Sequence, residues 1–242
     1  MLLGTLYLIP VPLADQVVAA SFTPFASQMI NQLDEYIVEN EKTARRFLKE
    51  AGLKIPQSQL ILHDFGKHSR DKIPSKTFLA AALNGKDLGL MSEAGCPAIA
   101  DPGAEVVAEA HRLGIKVVPL VGPSSMILAL MASGLNGQSF AFQGYLPIDK
   151  ATRTKRIKEL ERESALRQQT QLFIETPFRN ESLLEELLRS LSPKTKLCVA
   201  VDLTAPTEQI VSLSVQQWKQ EISKNSNFLP LHKRPAIFLF LG

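Results

Sequence analysis

The chain has 242 residues, 45% of them apolar, which is enough for one large domain or two smaller ones with a buried core. Its longest apolar runs, Ile127 to Ala132 and Ala236 to Leu241, fall far short of the roughly twenty residues that cross a bilayer, so a membrane-spanning protein is excluded and a soluble one expected. A net charge of +3 and a pI near 8.8 permit an anionic partner, yet lack the strong field of a dedicated nucleic-acid binder. Two cysteines, Cys96 and Cys198, give neither a disulfide framework nor a metal-ligand spacing. With no basic lead or small-residue cleavage site after Met1, a reducing cytoplasm is the expected location.

From the N-terminus the pattern alternates strand and helix: a strand over Thr5 to Ile9, an amphipathic helix over Ser21 to Gln32, a strand over Glu35 to Val38 and a helix over Thr43 to Ala51. A buried strand over Asp87 to Met91 runs into Ser92-Glu93-Ala94-Gly95-Cys96-Pro97. Asp101-Pro102-Gly103 then precedes a helix over Ala104 to Leu113 closed by Gly114. The Asp101 side chain is a candidate cap for that helix. Ile115 to Val121 is the next strand, followed by Gly122-Pro123-Ser124-Ser125 and a helix through Ala132. Such alternation predicts a parallel sheet, and in an open α/β sheet small molecules bind beyond the carboxyl ends of the strands. A boundary is expected after Val121, giving domains 1–121 and 122–242. In the second, strands are expected at Gln171 to Ile174, Leu197 to Val201, Gln209 to Ser212 and Ala236 to Leu241. Its helices are expected at Arg153 to Glu163, Glu181 to Leu191 and Val215 to Ser223, with Asn225 to Lys233 as a surface loop. Trp218 is expected to anchor a core or an interface.

Three loops in this order and spacing, Ser92 to Pro97, Asp101 to Gly103 and Val121 to Ser125, closely resemble those of the tetrapyrrole methylase superfamily of S-adenosylmethionine-dependent methyltransferases. Gly4 to Tyr7 with Pro10-Val11-Pro12, Gly144-Tyr145-Leu146-Pro147 and Phe173 to Arg179 extend the likeness over nearly the whole chain. They bring it nearest to the branch that methylates a ribose 2'-hydroxyl of small-subunit ribosomal RNA. There is no Gly-x-Gly-x-x-Gly, so the common dinucleotide-binding fingerprint is absent.

The resemblance implies two α/β domains, a parallel sheet in the first and a mixed sheet in the second, with S-adenosylmethionine in the cleft between them, no metal, and a homodimer. Matched motif by motif, the cofactor-binding positions are Pro10 and Pro12, Met91, Ser92 and Glu93, Ala98, Ser124 and Ser125, Glu175 and Thr176, Leu203, and Pro235 with Ala236. In-line displacement at a sulfonium methyl needs positioning more than a strong acid or base, which suits loops of small residues. Cys96, followed by Pro and with no nearby His, is a small loop residue rather than a nucleophile.

On the acceptor side the chain departs from the branch. Its Ala-Glu-Asp-Thr-Arg is Val38-Glu39-Asn40-Glu41-Lys42 here, and Thr-Pro-Ile-Gly-Asn-Leu is Val11-Pro12-Leu13-Ala14-Asp15-Gln16. Two cations are lost at Val201 and Ala205. Glu39 is the candidate base for the ribose hydroxyl proton. Basic residues Arg45 and Arg46, and Lys150, Arg153, Lys155 and Arg156, are candidate contacts to ribosomal RNA or the small ribosomal subunit. Against them stands the bland alternative of solvated, mixed-charge helix faces. His63 and His68, with Asp64 and Asp71, form no regular metal spacing. A tetrapyrrole or other small-molecule acceptor, or a divergent homologue that binds without turnover, are the competing readings.

Overall fold

A computed structural model describes residues 2–15, 17, 21–66, 69 and 73–242; Gln16, His68 and Asp71, singled out above, lie outside the described residues. The chain forms two compact units, Met1–Ser124 and Ser125–Gly242.

In the first unit β1 (Thr5–Leu8), β2 (Glu35–Val38), β3 (Ile61–Asp64), β4 (Leu88–Met91) and β5 (Lys116–Pro119) form one sheet of order β3-β2-β4-β1-β5. Every pairing is parallel. Neighbouring side chains along a strand point to opposite faces, and both faces are covered here. Ile9, Tyr36, Val38 and Met91 pack in one cluster with Met29 and Ile30 of α1 (Pro24–Ile30) and Phe47 and Leu48 of α2 (Glu41–Glu50). Leu6, Ile37, Leu88 and Leu90 pack in the other. There they meet Phe78 of α3 (Ser75–Phe78), Ala82 of α4 (Ala80–Leu83), and Val106 and Ala110 of α5 (Ala104–Arg112). Burial on two sides is why these strands read as apolar runs.

Tyr36 fixes one of these faces. It is fully buried, and its hydroxyl donates to the carbonyls of Ile30 at 2.8 Å and Leu33 at 3.0 Å. Burial, reinforced by the Asp34 charge, pushes its ionisation well above the ordinary phenol value. Gly89 leaves room for that ring: a Cβ there would stand 2.6 Å from Tyr36 Cδ1 and 2.7 Å from Ile9 Cδ1. Gly89→Ala is expected to destabilise the protein by about 1–3 kcal/mol through overpacking, read as a lower urea midpoint at unchanged slope.

The second unit holds β6 (Phe140–Tyr145), β7 (Thr170–Ile174), β8 (Lys196–Val201), β9 (Gln209–Ser214) and β10 (Ala236–Leu241) in the order β6-β7-β10-β8-β9. The β6–β7 pair is parallel and the other three are antiparallel, so the sheet is mixed. Phe173, Phe238 and Phe240 build the centre of its core, with Phe173 stacked on Phe238 at 5.9 Å. Ile157 and Leu160 of α7 (Lys150–Arg167), the leucines of α8 (Asn180–Ser190) and Trp218 of α9 (Val215–Lys224) close over it. Trp218 is fully buried and its indole N–H donates to the Leu197 carbonyl at 2.8 Å. A further helix, α6 (Ser125–Ser133), opens the unit. The parallel first sheet and mixed second sheet are those expected.

Candidate active site

In a parallel sheet all carboxyl ends lie on one side. Adjacent β1 and β4 send their connections in opposite directions, β1 past β4 to β2 and β4 past β1 to β5. That reversal is where an α/β sheet opens a crevice. The loops singled out in the sequence are the ones that leave these strands.

They also hold one another. Val11, after β1, and Gly95, after β4, exchange both backbone hydrogen bonds at 2.8 Å. The Cys96 thiol donates to the Pro123 carbonyl at 3.4 Å, fastening the β4 loop to the β5 loop. Burial raises this thiol's pKa, which suits a structural thiol rather than a thiolate nucleophile. Gly122 meets the Pro10 ring so closely that a Cβ would lie 2.4 Å from Pro10 Cβ. Pro10 and Pro12 are buried, Ser124 and Ser125 half-buried.

The β4 loop carries unusual backbone. Ala98 and Ala100 have φ of 66° and 61°, a left-handed conformation that costs a residue with a Cβ about 1–2 kcal/mol and tends to be kept where function needs it. Ser92 is buried beside them and donates to the Ala94 carbonyl at 3.2 Å. The expected capping role of Asp101 is not what the structure has. Helix α5 starts after Gly103 with no side-chain cap, and Asp101 stands half-buried in the loop before it. Burial raises its pKa, the Ser92 hydrogen bond opposes that rise, and the Glu93 charge adds to it. Met91, expected as a contact, is 2% exposed in the core beneath the loop.

Strand register brings Glu39 and Glu93 together, because Val38 pairs with Met91. The Glu93 N–H donates to Glu39 Oε2 at 3.3 Å, and the Thr43 hydroxyl donates to Glu93 Oε1 at 3.3 Å. Asn40 caps α2, its Oδ1 accepting from the Lys42 and Thr43 N–H groups at 2.9 and 3.2 Å. Asn and Asp cap about equally well, so replacing the branch's Asp there keeps the helix start. Beside it lies a cavity of about 270 Å³ lined by Pro12, Asp15, Thr43, Arg46, Phe47 and Glu93 among others. Arg46 pairs with Asp15 at 3.2 Å, both largely exposed.

In the second unit, β10 runs opposite to β7 and β8, so its start lies at the same end as theirs finish; Ile237 pairs with Ile174 and Ala236 with Val201. Three candidate positions therefore come together: Glu175 with Thr176, Leu203, and Pro235 with Ala236. The Glu175 side chain is 1% exposed, and its Oε1 accepts from Arg179 Nη2 at 2.6 Å, Arg179 Nε at 3.0 Å and the Thr176 N–H at 2.7 Å. That oxygen shapes its own loop. Leu203 is buried between Asp202 and Thr204, whose φ values are 49° and 71°. Pro235 is exposed, and its carbonyl accepts from the Asp202 N–H at 3.0 Å. The residue that sequence reading missed is Arg234, whose one visible signal is its place directly before Pro235-Ala236.

The basic residues divide. Arg46, Lys150 and Lys155 are exposed. Arg45 donates to the Gln57 carbonyl at 2.8 Å, and Arg156 to Gln143 Oε1 at 3.1 Å. Arg153 must be withdrawn from the candidate RNA face: it is 8% exposed, with Nε and Nη2 on Glu186 Oε2 at 2.8 and 2.5 Å. Among the described residues no group of three or more His, Cys, Asp or Glu could hold a metal ion, and no helix is long and apolar enough to cross a membrane.

A doubly covered parallel sheet with interlocked glycine- and proline-rich loops at its carboxyl ends, followed by a separate mixed sheet, defines a two-unit α/β protein whose ligand-binding loops leave the strand ends. The sequence profile of the tetrapyrrole (corrin/porphyrin) methylases matches residues 5–218. The chain belongs to this family and is a methyltransferase. It is 30% identical over 222 residues to ribosomal RNA small subunit methyltransferase I of Vibrio cholerae serotype O1, covering 92% of this chain and 73% of that protein. The protein of the same name from Escherichia coli O157:H7 is 30% identical over 224 residues, covering 93% and 74%. The crystal structure of the methyltransferase CobJ superposes with a TM-score of 0.60 at 17% identity, over 98% of this chain and 93% of that one, a likeness of fold.

Proposed function

We propose that this protein transfers the methyl group of S-adenosylmethionine to a ribose 2'-hydroxyl of small-subunit ribosomal RNA. The observation that carries the reading is that relatives named for ribosomal RNA small subunit methylation align over more than nine-tenths of the chain. A methyltransferase of this kind sits with its substrate in the cytoplasm, and a homodimer is proposed from the resemblance alone.

The residues present fit such a donor. Pro10, Pro12, Ser92 and Ala98 bring small or rigid side chains to the strand ends, in loops that include the left-handed Ala98 and Ala100. Leu203, Thr176 and Pro235-Ala236 are the proposed donor positions of the second unit, where β10 starts at the end at which β7 and β8 finish. Bound there, S-adenosylmethionine supplies an electrophilic methyl; the protein's task is to align it with the acceptor oxygen and exclude misplaced nucleophiles. Glu39 is the proposed base for the hydroxyl proton; what supports it is its place at the end of β2, where its Oε2 accepts the Glu93 N–H. Exposed Arg46, Lys150 and Lys155 serve RNA phosphates, a role that orients substrate without reading its sequence.

Calorimetric titration with S-adenosylmethionine tests the first half. For the second, purified protein is incubated with labelled donor and small ribosomal subunits lacking this modification. Label recovered on a ribose of the RNA is the expected result. Donor binding with label only in a small molecule, or in nothing, overturns the RNA reading.

A further inference from the structure

We infer that Arg234 is a positioning residue: its guanidinium locks the second-unit loops that carry Leu203 and Pro235-Ala236, and so sets donor affinity without being one of the donor contacts. The inference rests on the donor-binding role proposed above. Its basis is one side chain meeting four acceptors. Nε donates to Asp202 Oδ2 at 2.7 Å, Nη1 to Gln209 Oε1 at 2.7 Å and the Pro230 carbonyl at 2.8 Å, and Nη2 to the Thr207 carbonyl at 2.6 Å. The ion pair is largely sheltered, with the Arg234 side chain 19% exposed and that of Asp202 13%.

Three of these partners, Asp202, Thr207 and Gln209, span the turn between β8 and β9. Asp202 Oδ2 also accepts from the Thr207 hydroxyl at 2.8 Å, and Glu208 Oε2 from the Thr204 N–H at 2.7 Å. Asp202 and Thr204 are both left-handed, a backbone that residues with a Cβ abandon when nothing holds them there. The same segment is fastened to the third loop. The buried Asn180 donates through Nδ2 to the Arg234 carbonyl at 2.7 Å, and the Lys233 N–H donates to the Pro177 carbonyl at 3.1 Å. One arginine thus ties the β8–β9 turn to the strand that delivers Pro235, whose main chain is in turn tied to the Thr176 loop.

Only arginine can do this. Four acceptors in separate directions need a planar fork of N–H groups, whereas a lysine ammonium offers three donors from one point. A ligand that needs one loop arrangement binds more weakly in proportion to the fraction of molecules that hold it. Losing the clamp lowers that fraction, while the reacting groups of a molecule that has bound stay as they were.

The test compares the full-length protein with Arg234→Ala, Arg234→Lys and Asp202→Asn by donor titration, steady-state methyl transfer and hydrogen exchange. A fall of the competent fraction to about one-tenth raises the donor Kd and KM about tenfold at nearly unchanged kcat in Arg234→Ala. Faster exchange confined to 202–208 should accompany this, and guanidinium added well below denaturing concentration should restore affinity in Arg234→Ala but not in Arg234→Lys. If Arg234→Ala fails to fold, Arg234→Lys and Asp202→Asn carry the test, each expected to weaken donor binding with the same exchange signature. Variants that lose thermal stability but bind the donor like the unaltered protein would overturn the inference alone. An unaltered protein that takes up no donor would remove the proposed function, and the inference with it.

Discussion

Gly122→Ala is expected to weaken S-adenosylmethionine binding by about five- to a hundred-and-fifty-fold, the equivalent of the roughly 1–3 kcal/mol that overpacking costs, in a protein that remains folded. The added Cβ would lie 2.4 Å from Pro10 Cβ and 2.7 Å from its Cγ. Neither side can yield by turning a rotamer, since Pro10 is a ring fixed to its own backbone and the Cβ is fixed to Gly122. Relief requires the β1 and β5 loops to part. That movement would pull on the Cys96–Pro123 bond and on the paired Val11 and Gly95, so the disturbance reaches the β4 loop as well. Most of the unit's core lies below these loops and should melt nearly as before. Calorimetric titration beside a thermal melt checks both halves. Affinity within about twofold of the unaltered protein, where one tenfold step is about 1.4 kcal/mol, would show that these loops do not hold the donor. The double variant with Pro10→Ala should recover part of the loss if the clash is its cause, because residues in contact are the ones whose effects fail to add.

The interlocking of these loops follows from features that a sequence displays. Strands buried on both faces appear as short apolar runs, and β2 and β10 were expected at the bounds they have, Glu35–Val38 and Ala236–Leu241. Glycines and prolines between such runs marked where the chain leaves the sheet. Of the four edge strands, β5 and β9 were expected but β3 and β6 escaped. β3 at one sheet edge alternates weakly, with Ile61 exposed and Leu62 and His63 only half-buried, so its pattern resembles a loop. β6, at an edge of the second sheet, has no fully buried residue and shifts register between Phe142 and Tyr145. An edge strand packs less than a central one and leaves a fainter apolar trace.

Polar side chains were harder still, because their roles depend on partners distant in sequence. Asp101 has the composition and place of a helix cap, yet α5 starts after Gly103, with φ of 129°, without a side-chain cap. Arg153 sits in a run of basic residues that reads as one surface, yet its carboxylate lies 33 residues away on α8. Nothing local to Arg234 announces that three of its four acceptors lie on a turn more than twenty residues earlier. Motifs revealed which loops matter; the side chains that hold them rigid could be found only in three dimensions.

Glu186→Gln should be the most destabilising of the changes considered, by about 3–5 kcal/mol, because it leaves a buried arginine charge without its counterion. Glu186 is 2% exposed on α8, and both its oxygens are occupied. Oε2 accepts two N–H groups of Arg153, while Oε1 accepts the Thr154 hydroxyl and lies 3.5 Å from Arg189. Burial by itself would raise this carboxyl's pKa. The hydrogen bonds from Thr154 and Arg153, with the charges of Arg153 and Arg189, outweigh it and hold the carboxyl below its ordinary value of 4.5. A carboxylate whose folded pKa is depressed adds stability that is fully present above the unfolded value and is lost as pH falls through the folded one. The acid side of the stability profile, below about pH 4.5, should therefore flatten in Glu186→Gln. Denaturant melts from about pH 7 down to about pH 3, which spans the carboxylate range, would measure it. Replacing both partners, Arg153→Met with Glu186→Leu, should regain most of the loss, since a buried pair exchanged for well-packed apolar residues is often neutral. Equal destabilisation by the double and single variants would mean that packing between α7 and α8, rather than charge, is what the pair supplies.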